Sequence, residues 1–254
     1  MTKRFLLLLT VLLFSTISSC KPALVVQDWI PLKADRLRNG SVAMYAIKNR
    51  LGEVEVYFKN HIMQEAENLL IVQEYTGKTE EYTKRLRLDG TNLNLLSYEV
   101  IQNNKEADLS KTTINQLQFT MLTGKKTNQT YLISDFLEDK PKYIRLFIGN
   151  FFIEGDFLLT QLSAFPFEEQ KQGSYKVVRT MSVMDPNEKN YWETKTFSVT
   201  DREEILYKRQ SIPAYRVSFP AEKTTAWFRE EAPHILLKAE LTSTTVELID
   251  WNEL

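Results

Sequence analysis

The chain has 254 residues, with 32 Lys and Arg against 33 Asp and Glu, two His and a single Cys. A formal charge of −1 gives no electrostatic case for nucleic acid or for an anionic lipid surface. One cysteine excludes an internal disulfide framework, so stability must come from a packed core.

The first element is a leader. Lys3 and Arg4 precede an apolar run over residues 5–14 (FLLLLTVLLF), and small residues lead into Ile17-Ser18-Ser19-Cys20. A basic start, a short apolar run and a small-residue cleavage site make a secretory signal. The run is too short to span a bilayer, which needs about 20 apolar residues.

Ile17-Ser18-Ser19-Cys20 resembles the lipobox of bacterial lipoprotein signal peptides. The resemblance implies cleavage before Cys20, diacylation of its thiol and acylation of the new amino group by palmitate-like chains. The bland alternative is an ordinary secretory leader with a stray Cys near its cleavage site. One acyl chain binds a membrane only marginally, and several hold it firmly. Lys21, not Asp, follows the Cys, which by the same resemblance implies the outer membrane over the inner; the face is not read from these residues, and the periplasmic one is the expectation. Loss of residues 1–19 removes two cations and moves the formal charge to about −3.

Residues 20–38 read as lipidated Cys and tether, and residues 39–254 as a single β-rich domain. Leu24-Val25-Val26 and Trp29-Ile30 are the tether pieces able to dock on that domain. In the domain, period-two alternation dominates. Val54, Val56 and Phe58 alternate with polar neighbours, as do Leu86 and Leu88, then Leu96, Tyr98 and Val100, then Leu117, Phe119 and Met121. This is the pattern of an antiparallel sheet covered on one face. Asp89-Gly90 is a hairpin signal, since both residue types tolerate positive φ. Gly124-Lys125-Lys126 and Asp185-Pro186-Asn187 mark further turns. Residues 60–69 read as a helical turn or two. Residues 156–164 (DFLLTQLSA) place Phe157, Leu158, Gln161 and Leu162 at helical spacing behind an acidic N-cap. The stretch 133–137 is ambiguous. A closing meander covers residues 215–219, 225–228, 235–241 and 245–251. Ten to twelve strands are expected, too many for a flat open sheet, so the sheet curls.

The closing residues Tyr215-Arg216-Val217, Thr225-Ala226-Trp227-Phe228, Ala232-Pro233-His234 and Ile235 onward, with the mid-chain stretch 156–167, are similar to a family of bacterial secreted domains in the LolA/LolB-like lipoprotein-carrier superfamily. The resemblance implies a mainly β fold. A single antiparallel sheet curls into a half-barrel, and one or two short helices lie on its concave side. In LolA and LolB that hollow receives acyl chains.

Catalytic signals are sparse. His61 and Glu65 have the i, i+4 spacing of a metal pair on a helix, without an identifiable third ligand. His234 opens a strand, either as an acid/base at a pocket rim or as an ordinary turn residue. Paired carboxylates such as Glu138-Asp139 and Glu230-Glu231 can run glycoside hydrolysis, but all lie in turn-like stretches. No phosphate-cradling loop or nucleophile elbow occurs. The expectation is a non-enzymatic protein with no cofactor and no metal.

The aromatic-rich second half carries the functional expectation. Phe152, Phe157, Leu162 and Phe197 are the candidate ligand-binding residues, lining a pocket between sheet and helix; the alternative places them in a plain core. Two functions follow. One is an anchored binding module for a lipid or other hydrophobic ligand. The other is a structural or interaction scaffold with a solid interior and an unknown protein partner.

Overall fold

The structure, a computed structural model, describes residues 31–37, 39–78, 80–105, 112–122, 129–135, 142–146, 153–179 and 192–252. The leader, Cys20, Phe152, and the turns at Gly124 and Asp185 lie outside the described residues.

One fifteen-stranded sheet makes up the fold among the described residues. Strands β1 (Val42–Lys48), β2 (Val54–Glu65), β3 (Asn68–Gly77), β4 (Glu80–Asp89), β5 (Leu95–Lys105), β6 (Thr112–Leu122), β7 (Gln129–Asp135) and β8 (Lys142–Leu146) form one meander. Strands β10 (Gln172–Val178), β11 (Trp192–Tyr207), β12 (Gln210–Phe219), β13 (Thr224–Arg229), β14 (Leu236–Glu240) and β15 (Thr245–Asn252) form a second. The two join where β1 pairs antiparallel with β15. The short β9 (Ile153–Glu154) closes the far edge, parallel to β10. The expected ten to twelve strands are thus exceeded.

The sheet is curled into an incomplete barrel. A short helix, α1 (Leu158–Leu162), follows a 3-10 turn at Gly155–Phe157. This segment bonds β5 through Tyr98 and Asp156. Just after it, Phe165 packs on Phe197 of β11 at 5.0 Å between ring centres. Strands β5 and β11 are nine places apart in the strand order. At about 4.8 Å per strand a flat sheet would separate them by roughly 43 Å. Only a curled sheet brings both to one short segment. The helix therefore lies inside the concavity, as the half-barrel expectation required.

Phe157, Leu162, Ala164, Phe165 and Phe167 are fully buried and fill one side of the hollow. Phe167 packs against Tyr215 at 5.3 Å and Phe228 at 5.1 Å. Glu154, not Asp156, caps the segment: its carboxylate accepts from the Asp156 N–H at 2.7 Å. Residues 31–37 join this layer. The Lys33 N–H donates to the Ala164 carbonyl at 2.8 Å, and Leu32 and Leu37 are buried.

Three local expectations are corrected. Residues 60–69 form the β2–β3 hairpin, not a helix; Ala66 turns it with a φ of 52°. The apolar run 69–72 is buried almost throughout, which favours a strand covered on both faces over an amphipathic helix. At Asp89-Gly90 the positive φ falls on Leu93 instead, at 58°. Asp89 accepts from the Thr91 and Asn92 N–H groups, and Gly90 is needed for room, since a Cβ there would lie 2.2 Å from the Glu67 carbonyl oxygen. Finally, a bulge pairs Leu88 with Leu95, so Leu95 is buried and Leu96 is only half-buried.

Candidate functional site

A cavity of about 340 Å³ lies between α1 and the inner face of the first strands. Its floor is an aromatic ladder. Tyr45, Phe58, Tyr75 and Tyr82 sit in register across β1 to β4. Their rings stack at 4.7, 5.0 and 4.4 Å between centres. Stacking of this kind adds about 0.5–1.5 kcal/mol per pair beyond burial. The first three rungs line the cavity, with Ala43 and Ile62 beside them. Leu158 and Leu159 of α1 face it from the helix side, and Phe219, Ile235, Leu236 and Val246 close the opposite wall.

Polar groups interrupt the apolar lining. Asn60 stands directly across from Gln73 in the β2–β3 register. The Gln73 amide donates to Thr160 Oγ1 at 3.1 Å and accepts from the Tyr75 hydroxyl at 2.7 Å. Burial pushes the Tyr45 phenol up, and burial together with Asp156, Tyr82 and Glu154 pushes the Tyr75 phenol up. Both hydroxyls therefore stay neutral. At one end Lys84 donates to Asp156 Oδ2 at 2.6 Å and lies 5.3 Å from the centre of the Tyr75 ring. At the other, Lys195 pairs with Glu222 at 3.0 Å. Arg36 and Leu37 border the cavity from the N-terminal segment.

Arg36 also reaches away from the cavity. Its Nη1 donates to Glu168 Oε2 at 2.8 Å and lies 2.7 Å from His234 Nε2. His234 is fully buried, and its Nδ1 lies 3.0 Å from the Arg229 carbonyl. A carbonyl only accepts, so Nδ1 carries the hydrogen and Nε2 accepts from Arg36. Burial first, with the Arg36 charge, lowers the His234 pKa; its hydrogen bond to Arg229 and the Glu168 carboxylate oppose this. The ring is a neutral tie between the N-terminal segment and the β13–β14 connection.

The sequence-predicted residues fall elsewhere. Phe157, Leu162 and Phe197 are fully buried in the packed half of the hollow and do not line the cavity, and Phe152 lies outside the described residues. The aromatic rings there pack on one another, with Phe165 at 5.1 Å from Phe167 and 5.0 Å from Phe197 between ring centres. His61 and Glu65 lie on a strand, where four residues span about 13 Å, too far to share a metal ion. Sequence reasoning missed Tyr45, Tyr75 and Asn60. The available signal was their place on the buried parity of β1 to β3.

Among solved structures, the chain is similar to a β-barrel-like protein of the domain of unknown function DUF1849 from Brucella abortus. The TM-score is 0.52 at 8% identity, over 86% of this chain and 99% of that one. This likeness shows the fold alone. The chain also aligns with a protein taken to be a lipoprotein from Parabacteroides distasonis (TM-score 0.32, 9% identity, 88% and 100% covered). A protein taken to be exported, with a YmcC-like fold, from Bacteroides fragilis gives 0.28, 8% identity, and 89% and 99%. No family model and no curated protein matches the chain.

Proposed function

We propose that this protein is a non-enzymatic envelope lipoprotein. In this reading Cys20 anchors it to the outer membrane on the periplasmic side, and the cavity holds the apolar chain of a lipid or similar amphiphile, as in LolA/LolB-like carriers. The observation that carries the binding reading is the 340 Å³ hollow with a mostly apolar wall. Such cavities, with a few placed polar groups, are how apolar ligands are held and oriented. The hollow speaks against the solid-core scaffold. The address rests on the leader and Cys20.

A hollow of about 340 Å³ gives room for part of one acyl chain. Methylene groups gain about 0.8 kcal/mol each on burial, so even a partly inserted chain binds firmly. The aromatic ladder gives it a flat, rigid floor. Denaturing mass spectrometry of the full chain, purified without added lipid and exchanged into amphipol, should release a stoichiometric lipid beyond the chains covalently bound at Cys20. Release of no lipid, together with failure to take up added palmitate, would remove the reading.

A further inference from the structure

We infer that Asn60 selects for a hydroxyl on the bound chain, so that the site's ligand class is a hydroxylated acyl chain rather than a plain one. This rests on the apolar-ligand reading above and specifies it.

Asn60 is only 7% exposed and lies on the cavity wall. Its Oδ1 is buried and has no hydrogen-bond partner among the described residues. Its neighbours do not satisfy it. Across the β2–β3 register, Gln73 is engaged with Thr160 and Tyr75. Across the β1–β2 register stands Ala43, which has no polar side chain. An amide oxygen left this way is costly when dry. A plain hydrocarbon chain seated in the hollow would leave that oxygen without a partner, whereas a chain that carries a donor would supply one.

A hydroxyl resolves the conflict. It donates and accepts, so it matches the side-chain amide whichever of its two ends faces the chain. A carboxylate only accepts and would not serve the oxygen. Tyr45, Phe58 and Ile62, which line the cavity with Asn60, then hold the apolar parts of the chain.

The test is displacement of fluorescent cis-parinaric acid from the full chain in amphipol by stearic, 3-hydroxystearic and 12-hydroxystearic acids. At least one hydroxy acid should displace the probe at about tenfold lower concentration than stearic acid, the worth of one hydrogen bond. Asn60→Val should bring that ratio to about one. Asn60→Thr, nearly the same shape but with a hydroxyl, should keep part of it. This isosteric pair separates hydrogen bonding from any change in packing. Equal displacement by all three acids on the unaltered protein overturns the inference and leaves the apolar-ligand reading standing. So does a hydroxy preference that persists in Asn60→Val. If no acid displaces the probe, and the probe itself fails to bind, both fall together.

Discussion

Tyr98 on β5 donates its phenolic hydrogen to Asp156 Oδ2 at 2.8 Å, and so ties the helix segment to the sheet. Lys84 donates to the same oxygen from β4. Burial, with Glu154 and Asp156 nearby, pushes the Tyr98 phenol far up, so it remains a donor at any ordinary pH. Tyr98→Phe keeps the ring and its edge contact with Phe157 but removes this bond. A hydrogen bond to a charged group is worth about 1.5–3 kcal/mol. Urea unfolding should show a loss of that order. A change below about 0.5 kcal/mol would mean that the bond does not hold the segment.

His234 makes stability depend on pH. Its folded pKa lies below the ordinary 6.5, because burial disfavours the charged ring. The unfolded state therefore takes up a proton first. This contribution is complete above about pH 6.5 and is lost as pH falls from there through the folded pKa. Glu168 adds a second loss lower down. Burial raises its pKa, but hydrogen bonds from Arg36 and the backbone, with the charges of Arg36 and of His234 once that ring is protonated, outweigh that and lower it from 4.5. Its contribution disappears as pH falls below that value. The urea midpoint should decline between pH 6.5 and 5, and His234→Asn should flatten that limb. A midpoint unchanged over this range would contradict the assignment.

Core and cavity residues should separate in mutagenesis. Phe157 and Leu162 are fully buried away from the hollow, whereas Leu159 is half-buried and borders it. Leu162→Ala should cost about 2–5 kcal/mol. Leu159→Ala should cost about 1 kcal/mol and weaken uptake of a fluorescent acyl probe. The reverse ranking in both assays would mean that the cavity has been placed on the wrong side of the helix.

Gln161 offers a stabilising change. It is buried in α1, and neither end of its amide has a partner among the described residues. Methionine has a similar volume and no such demand. Gln161→Met should raise stability by about 1–2 kcal/mol, the penalty for an unsatisfied buried amide. Thermal unfolding checks this, and a lower melting temperature would show that the amide is satisfied after all.

Much of the sheet was legible because alternation reports which side of a strand is wet. Val54 to Phe58, Leu86 with Leu88, and the closing meander all became strands. The 60–69 hairpin was not legible. Its turn uses Ala66 and Glu67, which carry none of the usual glycine or asparagine signal. The His61–Glu65 spacing then suggested a helix. The candidate site was hidden for a related reason. Tyr45, Phe58, Tyr75 and Tyr82 become neighbours only through strand register, which local sequence does not display. The dense aromatics of the second half were conspicuous, yet Phe165 packs edge-on against Phe167 and Phe197, and Phe157, Leu162 and Phe197 do not line the cavity. Composition locates apolar bulk; it does not say where that bulk fails to meet.

The most direct test is residue-level mapping of a photoreactive palmitate analogue, with a diazirine at its methyl end, crosslinked to the full chain. Saturable labelling is expected on the ladder residues Tyr45, Phe58 or Tyr75, or on Leu158 and Leu159 of α1, abolished by excess palmitate. Labelling confined to the outer face of the same strands, at His61, Met63 and Val72, or labelling that excess palmitate does not reduce, would contradict that expectation.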